Sequence, residues 1–257
     1  MGIVNLTDDS FSGDGLRGDA ARAIEQGLRL VEEGAHILDI GGESSRPGAQ
    51  PVSAQQELDR LLPVVAGLLD CGVPLSVDTV KTEVMGAVLA AGVDMINDIA
   101  ALRAEGALEA LAGSKAAVCL MHMQGAPQTM QEAPQYVDVV AEVGDFLAGR
   151  VAAAETAGIV RERLVVDPGF GFGKTLAHNL SMLRRLAELH IHQVPLLVGM
   201  SRKSMLGQIT GRAAAERVHA GIAAALLALQ RGAAIVRTHD VAPLRDAIAV
   251  WKAVEEN

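Results

Sequence analysis

Polar residues recur at one kind of place in this sequence, the end of a short apolar run. In chain order they are Asn5, Asp39, Asp78, Asn97, His122, Asp167, then Ser201, Arg202 and Lys203, then Arg237 and His239. Burying so many polar side chains without partners is costly, so they are expected to line a solvent-accessible cleft. The set divides by chemistry. Asp78, Asn97, Asp167 and Lys203 offer two carboxylates, an amide and an ammonium. Carboxylates accept from ring N–H and amino groups, and a cation donates to a carbonyl, which suits the edge of a flat amino-pyrimidinone ring. Asn5, Ser45, Arg46, Arg237 and His239 form a second group, fitted to a phosphate or diphosphate, for which arginine is the usual bidentate partner. The competing reading is that strands simply end in polar residues, which loops tolerate.

The elements that must bring these residues together are legible as punctuation. Gly34, Gly92, Gly158 and Gly232 each close a helical stretch and precede a short apolar run: Ala35–Asp39, Val93–Asp98, Arg163–Asp167 and Ala234–Arg237. Glycine suits the left-handed residue after a helix, and a continuous apolar run suits a buried parallel strand. Gly2–Leu6, Pro74–Asp78, Ala116–Met121 and Pro195–Gly199 fit the same template. Between the runs lie helical patterns. Leu58, Leu61, Leu62, Val65, Leu68 and Leu69 mark one buried face behind a Ser53/Gln56 capping box, with Pro63 expected to kink the helix. Val139, Val140, Val143, Phe146, Leu147 and Val151 mark a second. Ala223–Leu229 is apolar nearly all round and is expected to be buried against a neighbour. Eight strands alternating with helices over about 250 residues predict an α/β fold, a (β/α)8 TIM barrel, with the polar strand ends on one face.

Composition sets the outer limits. Of 257 residues, 50% are hydrophobic and 21% charged, which excludes a disordered chain. Aromatics are 2%, so the core must be aliphatic. The net charge of −9 argues against a nucleic-acid partner. No apolar run approaches the ~18 residues of a membrane span, and no signal peptide is visible, so no membrane partner is expected. Cys71 and Cys119 form no CxxC and are expected to be buried free thiols in a reducing compartment, which points to a cytoplasmic protein. No linker divides the chain, and 1–257 is expected to be a single domain.

The motifs together resemble the dihydropteroate synthase family over nearly the whole length. They are Met1–Asn5 with Asp9-Ser10-Phe11; Asp39-Ile40-Gly41-Gly42-Glu43-Ser44-Ser45-Arg46-Pro47-Gly48; Ser76–Thr79; Asn97-Asp98-Ile99; Met121-His122-Met123; Asp167–Lys174; Ser201–Ser204; and Arg237 with His239-Asp240-Val241. The resemblance implies an enzyme joining 4-aminobenzoate to the pyrophosphate ester of 6-hydroxymethyl-dihydropterin, releasing pyrophosphate and making dihydropteroate for folate synthesis. It implies pterin binding by Asp78, Asn97, Ile99, Met121, Asp167 and Lys203. Asn5 would ligate Mg2+, and with Ser45, Arg237 and His239 would hold the pyrophosphate. Phe11, Ser45, Arg46, Pro47, Phe172, Ser201 and Lys203 would shape the aminobenzoate pocket. Asp78, Asp167, Lys203 and Arg237 would carry catalysis, a dissociative substitution in which Lys203 orients the pterin and forms no Schiff base. A homodimer is the family expectation. Four departures from the family pattern stand out: Asp8 where proline is usual, Ser45 for threonine, Thr238 for an aliphatic residue, and a chain that starts at the first strand where family members normally carry a preceding segment.

Other motifs carry less. Gly13–Gly18 is a literal GxGxxG with Asp39 at about the right distance for a dinucleotide, but Thr7–Ser12 separate it from the first strand, which favours a loop. Gly169–Thr175 has one residue too few for a P-loop. His190 and His192 have metal-ligand spacing but fall before strand seven, away from the cleft. His122 is either a pterin-site group or a satisfied core histidine, and His178 is read as capping its own loop. A pterin-binding barrel without synthase activity, or one presenting methyltetrahydrofolate to a corrinoid partner, would share the pterin residues. It would not need Ser45-Arg46-Pro47 together with Lys203, Arg237 and His239.

Overall fold

Four helix ends carry glycine for a physical reason. Gly34, Gly92, Gly158 and Gly232 adopt φ from +93° to +102°, a region side chains rarely enter, and each turns the chain from a helix into the next strand. In this computed structural model, which describes residues 1–6, 19–45, 48–190 and 193–255, the order is β1 (Gly2–Asn5), α1 (Ala20–Glu32), β2 (Leu38–Gly41), α2 (Ala54–Leu68), β3 (Leu75–Asp78), α3 (Thr82–Ala90), β4 (Met95–Asp98), α4 (Ala107–Ala112), β5 (Ala117–Met121), α5 (Val139–Thr156), β6 (Leu164–Asp167), α6 (Leu176–Arg184), β7 (Leu197–Gly199), α7 (Ser204–Thr210), α8 (Val218–Leu229), β8 (Ile235–Arg237) and α9 (Val241–Glu255).

Strands β1 to β6 pair in sequence order, all parallel, and β7 pairs with β8. Two bridges join these sheets into a ring. Gly2 faces Thr238 across the β8–β1 seam, with Ile3 N donating to Thr238 O at 3.1 Å, and Val166 faces Leu196 across the β6–β7 seam. The fold is the expected (β/α)8 barrel. Seven of the eight apolar runs contain a strand, each as long as its run or shorter, and the eighth overlaps one. One boundary matters: the second strand lies further on than Ala35–Asp39, so Asp39 sits inside it, two residues before its end.

Local signals hold the helices in place. Ser53 and Gln56 form the expected capping box on α2, which runs unbroken through Pro63. Asp138 caps α5, accepting from Val140 N and Ala141 N. The outer core, between strands and helices, is aliphatic; Phe170 is the largest fully buried side chain. A smaller cluster of Met95, Cys119, Val165 and Leu197 fills the barrel axis. Both cysteines are unpaired; Cys119 is buried, while Cys71 is only half-buried. The expectation for Ala223–Leu229 needs correction. In α8 only Ala224, Ala225 and Ala228 are buried within this chain, and Leu227 is 40% exposed. A helix apolar all round can bury only the face it turns to the barrel.

Candidate active site

Side chains alternate along a strand, so parity and register decide which residues share a layer inside the barrel. Register places Asn5, Gly41, Asp78 and Asn97 abreast on β1 to β4, Met121 beside Asp167 on β5 and β6, and Gly199 beside Arg237 on β7 and β8. This is the top layer, at the C-terminal mouth. Two members are glycines, and the missing side chains leave room. A Cβ on Gly41 would meet the Asn5 Oδ1 atom at 3.7 Å, and one on Gly199 would meet Arg237 Cβ at 3.7 Å. The layer beneath contains Asp39 and Ser76.

Above the top layer opens a cavity of about 290 Å3. Asn5, Ser45, Asp78, Asn97, Ile99, Met121, Asp167, Phe172, Ser201, Lys203, Arg237 and His239 all line it. These are all the residues given a binding or catalytic role that fall within the described part of the chain; of the other strand-end residues Arg202 lines the cavity too, while Asp39 and His122 do not. Phe11, Arg46 and Pro47 lie outside the described part, as do Asp8, Gly13–Gly18 and His192.

Asp39 is expected from the sequence to line the cleft, yet it lies beneath the lining, and the structure makes it a hub. Its carboxylate is fully buried. It accepts from Ser76 Oγ at 2.6 Å, from Asn97 Nδ2 at 3.1 Å and from Arg237 Nε at 2.5 Å. That bond fixes the orientation of the Asn97 amide: its nitrogen is on the Asp39 side, and its carbonyl oxygen is an acceptor a ligand could use. Arg237 Nη2 also lies 3.4 Å from Asp78. The signal was available: Asp39 belongs to the same motif as Ser45. A strand end placed too early hid its layer.

Burial sets the electrostatics. It pushes the Asp78 carboxyl up to about 7; Arg237 opposes this, and the neighbouring Asp39 carboxylate adds to it. Burial likewise raises Asp167, against the pull of Lys203. The Lys203 ammonium is lowered to about 8 by burial, with Asp167 opposing. Arg237 is buried too, yet Asp39 and Asp78 outweigh that penalty and hold it firmly charged. Lys203 donates to Phe170 O and stands 4.5 Å over the Phe172 ring, a cation–π contact. Ser201 Oγ accepts from His239 N at 3.2 Å and lies 3.0 Å from its Nδ1.

Supporting loops explain the remaining motifs. Lys174, buried, donates to His122 Nδ1 at 2.9 Å, Gly169 O at 3.0 Å and Phe172 O at 2.9 Å, so Gly169–Thr175 wraps a lysine and positions Phe172. His122 contacts that lysine and packs against Phe146 with the two rings perpendicular, and it is not in the cavity lining; the core-histidine reading holds. Burial, then Lys174, lowers it to about 3. His178 completes a capping box with Thr175. His190 contacts Arg231 O at 3.2 Å. The Thr238 hydroxyl accepts from Asp240 N at 3.1 Å and lies 3.5 Å from Ser201 Oγ. Sequence reasoning also missed Glu43, Met130 and Gln131 in the lining; the last two sit on the β5–α5 connection, which lacked any chemical motif.

Comparison with known proteins follows the same lines. A family model described as pterin binding enzyme matches residues 1–239. A dihydropteroate synthase from Neisseria meningitidis serogroup B is 52% identical, covering 100% of this chain and 93% of that protein. The Yersinia pestis dihydropteroate synthase in a sulfonamide drug complex superimposes with a TM-score of 0.97 at 46% identity, covering 100% of this chain and 94% of the other. The Xanthomonas albilineans dihydropteroate synthase in complex with 7,8-dihydropteroate gives 0.88 at 49% identity, covering 99% and 92%. Among the described residues no helix is long and apolar enough to cross a membrane.

Proposed function

This chain belongs to the pterin-binding dihydropteroate synthase family, and from that premise we propose that it condenses 6-hydroxymethyl-7,8-dihydropterin pyrophosphate with 4-aminobenzoate to give 7,8-dihydropteroate and pyrophosphate. One observation carries the residue-level reading: a single cavity lined on one side by Asp78, Asn97 and Asp167 and on another by Arg237, Lys203, Ser201 and His239. The first group presents acceptors to the N–H and amino groups of the pterin, with Ile99 and Met121 against its faces. Lys203 donates to the ring carbonyl. Asn5, Arg237, His239 and Ser45 meet the diphosphate, and Ser45, Phe172, Ser201 and Lys203 border the aminobenzoate, to which the family resemblance adds Phe11, Arg46 and Pro47.

The reaction breaks the bond between the pterin methylene and the diphosphate oxygen and forms a carbon–nitrogen bond to the aromatic amine. The amine then loses a proton. As the leaving group departs, positive charge spreads from the methylene into the ring, where the Asp78 and Asp167 carboxylates favour it. Arg237 meets the opposite charge growing on the diphosphate. The amine is neutral near pH 7, so no strong base is required to start the attack, and Lys203 orients the pterin without forming an adduct.

Asn5 would hold a magnesium ion. Among the described residues no cluster of three or more His, Cys, Asp or Glu could hold a metal. A hard cation that keeps several waters and takes phosphate oxygens from its substrate needs little more than one protein oxygen, and the Asn5 side chain brings one to the mouth of β1. When bound, such an ion neutralises diphosphate charge.

The working form is a homodimer in the cytoplasm. Ile209 on α7, Leu227 on α8 and Val250 and Val254 on α9 are exposed apolar side chains on consecutive helices, the kind of surface a second copy would cover. The unpaired cysteines accord with a reducing compartment. Incubation with the pterin pyrophosphate, Mg2+ and 4-aminobenzoate should release pyrophosphate and form dihydropteroate. Binding of the pterin without turnover would leave a pterin-binding barrel and overturn the enzymatic reading.

A further inference from the structure

We propose that Arg217 is a positioning residue for Lys203 and that Gly207 is the gap that admits it; the proposal rests on the synthase reading above. Lys203 is the N-cap of α7 and makes no side-chain cap bond there. The residue before it, Arg202, has φ +58°, a left-handed conformation uncommon for a residue with a side chain. Such a backbone persists only where its surroundings hold it. Two groups from other connections do so here. Asp240, immediately before α9, takes the Arg202 guanidinium on both carboxylate oxygens, at 3.2 and 2.5 Å. Arg217, immediately before α8, holds the backbone. Its Nη1 donates to Arg202 O at 2.9 Å and to Lys203 O at 3.3 Å, and its Nε donates to Arg212 O at 2.9 Å. Arg217 is itself rooted, since its own carbonyl accepts from Gly221 N in the first turn of α8 at 2.8 Å.

The path of this arginine accounts for a glycine. Arg217 crosses α7 at Gly207, where a Cβ would stand 2.2 Å from its Nη2 and 2.4 Å from its Cζ. Glycine is unfavourable in the middle of a helix, so a residue there without a side chain asks for a reason, and the guanidinium passing over it supplies one. The far end of Lys203 shows what the contact fixes. The lysine stem runs past Gly171, where a Cβ would meet Lys203 Cδ at 3.2 Å, and the ammonium donates to Phe170 O and lies over the Phe172 ring. Lys203 therefore spans from the β7–α7 turn to the β6–α6 loop, and its ammonium meets the pterin carbonyl only while its root keeps its place. Without Arg217 the Arg202 and Lys203 carbonyls lose a shared charged donor, the left-handed turn relaxes, and that root shifts. A guanidinium suits the task because its donors form a rigid planar fork that can serve several carbonyls at once.

The test is steady-state kinetics on Arg217→Met, Gly207→Ala and the double variant. Alanine favours the helix, so Gly207→Ala keeps α7 folded while its methyl pushes the guanidinium aside. Each single variant should raise KM for the pterin ester tenfold or more. Both act on one contact, so the double variant should lie within twofold of the worse single variant. Simple loss of folded enzyme would instead lower kcat and leave KM where it was. Amide hydrogen exchange should quicken at Lys203 and Leu206, which donate to Met200 O and Lys203 O, and not in residues 75–78. A wild-type pterin KM in either single variant, effects that multiply in the double variant, or unchanged exchange at Lys203 and Leu206 would overturn the proposal. A wild-type protein that releases no pyrophosphate would instead refute the synthase reading, and the exchange measurement would still judge the Arg217 contact.

Discussion

Arg237 is held from beneath by Asp39: its Nε donates to a carboxylate with no exposed surface, one layer below the cavity floor. Asp39→Asn keeps the shape and a neutral acceptor but removes the charge that holds the guanidinium. The expected result is a loss of about tenfold to hundredfold in kcat/KM for the pterin ester, or about 1.4–2.7 kcal/mol. Asp39→Ala should also cost stability, about 3–5 kcal/mol, because Arg237 and Asn97 are left without their buried partner. Steady-state kinetics and denaturant melts measure both; unchanged kcat/KM in Asp39→Asn would refute the role.

Pterin affinity should fall as pH drops below about 7. Burial raises Asp78 to about 7, and a ring N–H needs the ionised carboxylate as acceptor. Binding should therefore take up base, releasing protons between about pH 5 and 7. Calorimetry of a pterin ligand in buffers of different ionisation enthalpy checks this, and Asp78→Asn should bind weakly with a flat pH profile. Proton release that persists in Asp78→Asn would assign it to another group.

His122 links acid to stability. Its folded value, about 3, lies below the ordinary 6.5, so the unfolded chain binds the proton more readily between those limits. The contribution is complete above pH 6.5 and is lost as pH falls toward 3, with a slope of up to about 1.4 kcal/mol per pH unit. His122→Gln should flatten urea-unfolding stability over pH 4–6.5 relative to wild type. Parallel slopes in the two proteins would contradict the assignment.

Gly169 admits no side chain. It has φ +68°, and a Cβ there would sit 2.0 Å from the carbonyl oxygen of His122. Gly169→Ala should lower stability by more than about 2 kcal/mol. It should also displace Phe172 and so raise KM for 4-aminobenzoate. A thermal melt within a degree of wild type would show that the loop relaxes freely.

Association can be tested at the exposed apolar helices. Leu227→Glu with Val250→Glu should convert a dimer to a monomer in sedimentation velocity, with little change in far-ultraviolet circular dichroism. A dimer that survives both changes would move the interface elsewhere.

Much of this protein was already determined by its sequence. Eight apolar runs, four of them preceded by a glycine that only a left-handed turn requires, specify alternating strands and helices, because backbone propensity and burial are local properties. The residues at the strand ends specify the chemistry, since only a few side chains can accept from a heterocycle or meet a diphosphate. The tertiary structure decided what depends on layers and on distance. Asp39 lies below the mouth because β2 runs on to Gly41, and strand parity then turns one aspartate from a ligand contact into a support. His122 meets Lys174, a partner 52 positions away that only the folded barrel brings within 2.9 Å. The contacts of Lys81 with Glu43 and Glu57 join two connections and a helix, and no periodicity or spacing records a contact that exists only once the barrel has closed.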